Sequence, residues 1–295
     1  MLNTIPELRL AMEKQGYISE DELATTVYLA LALQKPLLVE GAPGVGKTEI
    51  AKVLAAAFNT ELIRLQCYEG LDENKALYEW NYQRQLIKIQ ISKNSGPEEQ
   101  LERNLFSEEY LLERPLLQAI RAQSKVVLLI DEVDKVEAEF EAFLFELLSD
   151  FQISIPELGT VGARHIPIVV LTSNGERELS DGLKRRCVYL YIDFPSIEKE
   201  SRILKVKVPE AGEKIVAQIA NAASYIRTSL NLRKKPSISE TIDWTRALIT
   251  LGEDALSADG INKTLNILLK NRDDQAMLRN ELGLDKLVQA ATPKA

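Results

Sequence analysis

Hydrophobic residues in this 295-residue chain are concentrated in short continuous runs, and stretches with helical periodicity separate these runs. Continuous β-branched and aliphatic runs are typical of strands buried on both faces of a parallel sheet. Five such runs occur, at residues 36–40, 61–66, 126–130, 168–172 and 188–192. The alternation predicts an α/β fold with three αβα layers, in which helices cover both faces of a parallel sheet.

The pattern changes after Pro195, where strand-like runs stop and only helical patterns remain. Pro195 and Ser196 mark a boundary, so we predict a nucleotide-binding α/β domain over residues 1–195 and a small all-helical lid of four helices over 196–295. The S-x-x-E pattern of a capping box predicts helix starts at Ser19 and Ser237. A run of apolar residues predicts a core helix with one aromatic stripe, made of Phe140, Phe143, Leu144, Leu147, Leu148 and Phe151.

The segment from Gly41 to Thr48 fits the phosphate-loop (Walker A) pattern G-x-x-x-x-G-K-[ST] and lies between a predicted strand and a predicted helix. Gly44 and Gly46 permit backbone angles that turn successive N–H groups towards phosphates at a helix N-terminus. Lys47, expected to face solvent, would reach the β- and γ-phosphates of a nucleoside triphosphate, and Thr48 would ligate Mg2+. The predicted nucleotide-binding residues are Gly41, Pro43, Gly44, Val45, Gly46, Lys47, Thr48 and Glu49.

Asp131 and Glu132 follow the buried run 126–130, as in a Walker B motif. Carboxylates at a strand's carboxyl end lie at the ligand edge of a parallel sheet. Asp131 is therefore predicted to hold Mg2+, and Glu132 is predicted to orient the attacking water as the catalytic base. The alternative is an ordinary acidic strand end.

Three further polar residues are predicted to be catalytic. Asn174 follows the run 168–172, where an amide can hold the lytic water or the γ-phosphate, although asparagine often simply ends a strand. Arg185 and Arg186 precede the last strand. They look like the arginine finger that stabilises γ-phosphate charge in a neighbouring subunit, and the alternative is a solvated surface.

Together these motifs resemble the AAA+ ATPases and, within them, the MoxR family, from about Ile18 to the end of the lid. The segments 65–71, 78–82 and 143–151 look most like the branch of CoxD-type carbon monoxide dehydrogenase maturation ATPases. The resemblance implies an ATP-hydrolysing, chaperone-like remodeller that forms a homo-oligomeric ring, expected to be a hexamer. It also implies a protein or metalloenzyme client and a von Willebrand A domain partner protein.

The resemblance assigns roles to other parts of the chain. Tyr17 and Ile18 are expected to border the adenine. Many relatives have a sensor arginine just after the position of Pro236, but Ile238 and Ser239 stand there in this chain. Three basic residues are candidates to replace the sensor arginine: Arg233, Lys235 and Arg246.

Two segments exceed a minimal nucleotide-binding fold. Residues 68–110 match an insertion in the second helix of this clade and contain Trp80, Tyr82, an alternating run from Leu86 to Ile91 and the polar stretch 92–100. Residues 151–167 have the pattern of a β-hairpin. Both are predicted to face a client, with peripheral decoration as the alternative. Trp80 and Tyr82 are expected to contact a client or a neighbouring subunit; the alternative is that either ring covers the insertion's own small core.

Composition and charge disfavour several classes of protein and kinds of site. A net charge of −8 disfavours a nucleic-acid motor, which needs a basic stripe to neutralise phosphates. Two cysteines and one histidine are too few for a Cys/His zinc cluster or a disulfide framework. No apolar stretch is long enough to span a bilayer, so a cytoplasmic protein is expected. The alternatives are a nucleic-acid motor or restriction-type GTPase, and a small-molecule kinase.

Overall fold

The computed structural model describes residues 4–92, 105–156 and 158–292. These residues form two compact units that interleave along the chain. The first unit comprises residues 4–9, 21–40 and 48–191, and the second comprises residues 10–20, 41–47 and 192–292. The domain boundary at residue 195 stays a prediction.

The strands are β1 (Leu37–Gly41), β2 (Leu62–Gln66), β3 (Tyr78–Trp80), β4 (Leu111–Glu113), β5 (Val127–Asp131), β6 (Gln152–Ile155), β7 (Gly159–Gly162), β8 (Ile168–Ser173) and β9 (Val188–Ile192). The helices of the first 190 residues are α1 (Ile5–Lys14), α2 (Asp21–Ala32), α3 (Lys47–Ala57), α4 (Glu73–Ala76), α5 (Tyr82–Ser92), α6 (Pro115–Arg121), α7 (Ala138–Asp150) and α8 (Asp181–Arg186). Later helices are α9 (Ile197–Lys207), α10 (Glu213–Ser229), α11 (Ile238–Thr250), α12 (Ala258–Leu268), α13 (Arg272–Met277) and α14 (Leu284–Ala291).

A five-stranded parallel sheet with the order β2-β5-β8-β1-β9 lies in the first unit, and the five predicted runs supply its strands. β5 is fully buried, as its continuous apolar sequence predicts. In register, Gln66 at the end of β2 is the partner of Asp131 at the end of β5. The sheet therefore brings polar residues from two neighbouring strand ends to one edge.

Helix α7 packs one apolar face into the core of the first unit, as the sequence predicts. Phe140, Leu144, Leu147 and Leu148 are buried in it. Phe151 ends the helix in a left-handed conformation, and β6 and β7 then form the predicted antiparallel hairpin. Of the predicted hairpin range, residue 157 lies outside the described residues.

The insertion contains a two-stranded ribbon, β3 with β4, and helix α5. The alternating run from Leu86 to Ile91 is therefore helical. Its residues Leu86, Ile87 and Ile91 are exposed, so alternation here does not report burial of one strand face. In the polar stretch 92–100, residues 93–100 lie outside the described residues.

The second unit contains the predicted helical region. The described part of this region has six α-helices, α9 to α14, where the sequence predicts four. Their core includes Ile219, Trp244 and Leu265. A buried ion pair, Arg227 with Glu200, lies between α9 and α10, and Arg227 also donates to the Pro236 carbonyl at 2.7 Å. This bond holds the segment that enters α11.

No helix within the described ranges is long and apolar enough to cross a membrane.

Candidate functional site

The phosphate loop, residues 41–47, leaves β1 and leads directly into α3. Gly44 and Gly46 have φ angles of +78° and +97°, which glycine adopts without strain. Gly41 is needed for a different reason, because a Cβ there would lie 2.2 Å from the Ile192 carbonyl oxygen. Val45 is buried and Pro43 is exposed. Glycine is thus required at three positions of the loop.

Lys47 is buried, with 6% of its surface exposed, and donates to the carbonyls of Gly41 and Ala42 at 2.8 Å each. The expectation that this side chain faces solvent is therefore wrong. Its ammonium satisfies carbonyl oxygens that the tight loop turns inward. A phosphate bound in the loop would compete for the same ammonium.

The N-terminal turn of α11 lies against the phosphate loop. Gly44's carbonyl accepts from the Ser239 backbone N–H at 3.3 Å and from its hydroxyl at 3.1 Å. A Cβ on Gly44 would lie 2.2 Å from the Ser237 hydroxyl oxygen. Serine side chains and helical N–H groups thus occupy the place where the resemblance leads us to expect a sensor arginine.

The three basic candidates for that arginine differ in their surroundings. Arg233 pairs with Asp273 at 3.1 Å, and Arg246 pairs with Asp243 at 3.6 Å. Lys235 is exposed. Near the loop, the Tyr17 ring lies 3.8 Å from the point where Gly46 would carry a Cβ; the adenine role of Tyr17 and Ile18 stays a prediction.

Thr48 and Asp131 lie together in the first unit. The Thr48 hydroxyl donates to Asp131 Oδ1 at 3.0 Å, and the Thr172 hydroxyl donates to the same oxygen at 2.5 Å. Arg64 donates to Asp131 Oδ2 at 2.5 Å. The buried carboxylate is thus held by three partners from α3, β8 and β2. Glu49, on the first turn of α3, pairs with Lys52 at 3.5 Å.

The Thr48 hydroxyl oxygen and Asp131 Oδ1 are suitable ligands for a magnesium ion. Mg2+ prefers oxygen ligands, and it is usually bound by one or two carboxylates together with substrate phosphates. Across the described residues, no cluster of three or more His, Cys, Asp or Glu could hold a metal by itself. Thr48 and Asp131 would therefore hold the ion only together with nucleotide oxygens.

Glu132 has a left-handed backbone with φ 59° and ψ 50°. Its N–H donates to Thr172 at 2.9 Å, so the threonine that holds Asp131 also fixes this peptide. Its Oε2 accepts from Gln66 at 2.9 Å and from Lys135 at 2.6 Å. The adjacent carboxylate raises the pKa of Lys135, chiefly through this hydrogen bond. In this arrangement one oxygen of the predicted base is already occupied.

Asn174 begins the loop after β8, and its N–H donates to Asp134 Oδ2 at 3.1 Å. Asp134 lies in the 3-10 turn that directly follows Asp131 and Glu132, and it is buried. The backbone of Asn174 is thus hydrogen-bonded to the turn that follows the predicted carboxylates, Asp131 and Glu132.

The two arginines of α8 have different surroundings. Arg186 lies over the Phe145 ring at 4.4 Å and donates to the Ser149 hydroxyl at 2.6 Å. It also donates to the Gly182 carbonyl at 2.9 Å. Arg185 is exposed. The sequence did not distinguish them.

Trp80 does not fit the expectation of an exposed client contact. It is buried with 6% exposed, and its ring packs edge-on against Phe106 at 5.4 Å and Tyr78 at 6.0 Å. It therefore covers the insertion's own small core, which corrects the prediction for this residue. Tyr82 is 61% exposed, so its predicted contact stays a prediction.

Sequence reasoning missed Arg64, Gln66, Thr172, Asp134 and Lys135. A signal was available for the first two, because polar residues alternate with the buried Ile63 and Leu65 in β2. Which carboxylate they meet depends on β2 lying beside β5, which no local pattern reports.

Comparison with known proteins gives one family model and several relatives. Residues 36–187, just over half of the chain, match the family model described as AAA domain (dynein-related subfamily). An uncharacterized protein of Staphylococcus haemolyticus is 26% identical over 286 residues, which cover 93% of this chain and 100% of that protein.

Two named relatives are much longer. The chaperone protein ClpB of Bacillus cereus is 27% identical over 175 residues, covering 56% of this chain and 16% of that protein. Midasin of Giardia intestinalis is 25% identical over 259 residues, covering 83% of this chain and 5% of that protein.

Solved structures share the fold. A RuvB variant of Thermotoga maritima superposes with a TM-score of 0.53 at 18% identity, covering 95% of this chain and 80% of that chain. The Thermotoga maritima RuvB Holliday junction branch migration motor gives a TM-score of 0.51 at 17% identity, covering 89% and 76%. At such identities the likeness concerns the fold alone.

Proposed function

Because this chain belongs to the AAA family, in its dynein-related subfamily, we propose that it hydrolyses ATP with Mg2+ in a homo-oligomeric ring and uses the cycle to remodel a protein client. The observation that carries the proposal is the 3.0 Å hydrogen bond between Thr48 and Asp131. It joins the first turn after the phosphate loop to the acidic strand end that also carries Glu132. Mg2+-dependent hydrolysis needs these groups at one place.

The loop residues bind and orient the nucleotide. N–H groups around Gly44 and Gly46 would hold the phosphates at the N-terminus of α3, where the helix dipole favours negative charge. Lys47 would exchange its two carbonyl partners for phosphate oxygens. Magnesium, held by Thr48 and Asp131, would neutralise charge on the phosphates.

Glu132 would orient the attacking water and accept its proton. Its Oε2 is bonded to Gln66 and Lys135, so at least one of these bonds must open before that oxygen can act. Hydrolysis by an isolated subunit should therefore be slow. Asn174 would hold the same water or the γ-phosphate.

Arg185 is the better candidate for the finger that reaches a neighbouring subunit. A finger acting in trans must be exposed in its own subunit, and Arg185 is exposed. Arg186 is occupied by Phe145, Ser149 and the Gly182 carbonyl of its own chain. This assignment rests on the proposed ring.

The finer proposal is a MoxR-type role, closest to the CoxD branch, in the maturation or activation of a protein or metalloenzyme complex. It includes a hexameric ring, a von Willebrand A domain partner and a cytoplasmic location. Client-facing surfaces would be the β6–β7 hairpin and the exposed side of α5 with Tyr82, Leu86 and Ile91. The chaperone name of the ClpB relative is consistent with a protein client.

The test uses subunits with complementary defects. Glu132→Gln should bind ATP without hydrolysing it, and Arg185→Ala should bind ATP and hydrolyse poorly. In an equal mixture, about one quarter of the sites pair an intact Glu132 with a neighbour's intact Arg185. We expect turnover to recover towards that fraction on mixing.

Arg186→Ala is the matched control, because it removes the adjacent guanidinium. We expect it to lower the melting temperature, since the Phe145 and Ser149 contacts are lost, while folded enzyme keeps its turnover. Full hydrolysis by Glu132→Gln would overturn the assignment of Glu132 as the catalytic base. Turnover that is independent of protein concentration, without rescue on mixing, would exclude a finger in trans.

A further inference from the structure

Asp134 is a buried carboxylate to which the proposed reaction assigns no task. It lies in a single 3-10 turn, Val133–Lys135, directly after Asp131 and Glu132, and is 4% exposed. Its Oδ2 accepts from the N–H groups of Asn174 at 3.1 Å and Glu176 at 3.0 Å. Its Oδ1 is buried and has no hydrogen-bond partner among the described residues.

The loop after β8 is shaped around this carboxylate. The Gly175 N–H donates to the Ser173 hydroxyl at 3.0 Å, and Gly175 has a φ of +73°. The alternate residues Asn174 and Glu176 can therefore both direct their N–H groups to Asp134. Hydrogen bonds to an ionised carboxylate are about twice as strong as neutral ones. The backbone of the loop after β8 is thus oriented by hydrogen bonds to Asp134 in the turn Val133–Lys135.

A buried carboxylate with one unpartnered oxygen is costly for a folded protein to keep. A leucine there would avoid burying a carboxylate, but it would leave the N–H groups of Asn174 and Glu176 without this acceptor. The position of Asp134 supplies a reason for its presence, because it links the loop that begins at Asn174 to the turn that directly follows Asp131 and Glu132. In this interpretation Asp134 contributes through its hydrogen bonds to the loop, and not by contact with substrate.

We propose that Asp134 is a positioning residue that sets where the Asn174 amide lies relative to Asp131 and Glu132. The inference rests on the proposed ATP hydrolysis. One turn of the chain then aligns three functional groups: Asp131 and Glu132 through their own backbone, and Asn174 through the Asp134 carboxylate. Errors of about 1 Å in such groups cost on the order of 10²-fold in rate.

The experiment is a double-mutant cycle on the full chain. The variants are Asn174→Ala, Asp134→Ala and both together, with kcat, KM for ATP and ATP affinity measured for each. If Asp134 acts through Asn174, each single change lowers kcat by roughly tenfold or more, and the double variant is no slower than Asn174→Ala. ATP affinity should change less than kcat, because both variants leave the phosphate loop intact.

The conservative variant separates geometry from charge. Asp134→Asn keeps an oxygen that can accept from both N–H groups, so it should retain more activity than Asp134→Ala and remain non-additive with Asn174→Ala. If Asp134→Asn falls as far as Asp134→Ala, the carboxylate charge acts by itself and the positioning role is wrong. This variant also serves if Asp134→Ala does not fold.

Asp274 provides the matched control. It is another buried aspartate that accepts two consecutive backbone N–H groups, from Arg233 at 2.9 Å and Lys234 at 3.2 Å. Asp274→Ala should lower the melting temperature as Asp134→Ala does. Its effect on kcat, whatever its size, should multiply with that of Asn174→Ala because the residues share no partner.

The outcomes separate the two proposals. A wild-type protein that does not hydrolyse ATP would end both. An active wild type with slow Asn174→Ala but unchanged Asp134→Ala would overturn only the positioning role. Effects of Asp134→Ala and Asn174→Ala that multiply fully would do the same, because the two residues would then act independently.

Discussion

Backbone conformation at Glu132 sets this residue apart from other strand-end acids. Left-handed angles at a non-glycine residue cost on the order of 1–3 kcal/mol and persist where surrounding contacts over-determine them. Here Thr172 supplies that constraint, since it accepts from the Glu132 N–H and donates to Asp131. The strain is consistent with a residue kept for chemistry.

The thiol of Cys67 lies close to the same carboxylates, and burial raises its pKa from 9.0 to about 12, with added effects from Asp131, Asp134 and Glu132. Burial likewise raises the pKa of Cys187 to about 12. The unfolded chain releases these protons near pH 9, whereas the folded chain retains them. The free energy of unfolding should therefore be unaffected below about pH 8 and fall as pH rises from about 9 towards 12.

Urea denaturation between about pH 8 and 10.5 checks this prediction. The variant Cys67→Ala has lower stability from cavity formation at every pH, but its stability should decline less steeply with pH than that of wild type. The slope is the diagnostic quantity, because lysines and tyrosines titrate in both proteins. Parallel curves for the two proteins would contradict the raised pKa of Cys67.

Among the elements, two S-x-x-E sequences give opposite results. Ser237 and Glu240 form the predicted capping box at the start of α11. Ser19 and Glu22 do not, because α2 begins at Asp21 and the Ser19 hydroxyl is buried without a partner among the described residues. A capping motif thus predicts a helix start only to within a residue or two.

The start of α11 should matter for nucleotide binding through its contact with Gly44. Gly44→Ala introduces a Cβ 2.2 Å from the Ser237 hydroxyl and places it on a residue with φ of +78°. We expect ATP affinity to fall at least tenfold, because the loop must shift. Isothermal titration with ATP measures the change.

Gly70 is the control for backbone strain. It has nearly the same φ, +75°, but no atom among the described residues lies within 4 Å of the point where a Cβ would stand. Gly70→Ala should lose about 1 kcal/mol of stability from the left-handed backbone and keep its ATP affinity. Ser237→Gly should partly restore binding to Gly44→Ala. Equal loss of affinity in both alanine variants would refute the steric explanation.

At the scale of the whole molecule, charge distinguishes two functions that share the fold. The net charge is −8, whereas proteins that bind the nucleic-acid backbone neutralise phosphates with lysine and arginine. The structural likeness to RuvB at 18% identity does not offset this difference. A protein remodeller is compatible with an acidic surface.

Adding duplex or branched DNA should leave ATP turnover unchanged at about 50 mM salt, where electrostatic binding is strongest. The measurement is steady-state hydrolysis with and without DNA, repeated at about 200 mM salt. Stimulation at low salt that disappears steeply at higher salt would favour the nucleic-acid motor. A casein-type unfolded protein serves as a comparison substrate for the remodeller.

Local sequence patterns are enough to predict the sheet strands, the phosphate loop and the acidic strand end. Each is a local feature, because continuous apolar runs report burial and glycines report backbone angles within one segment. All five predicted strands match the observed strands to within one residue at each end. The helical region after β9 was equally readable from its periodicity.

Which side chains meet in the site depends on how the whole chain folds. Arg64 and Gln66 reach the carboxylates because β2 lies beside β5, and Thr172 reaches them because β8 lies on the other side. Lys47 is buried because the phosphate loop folds back around it, and Trp80 is buried by residues that include Phe106, which is distant in sequence. Periodicity along one segment reports whether a face is buried, but strand order and packing choose its partners, and these depend on the whole chain.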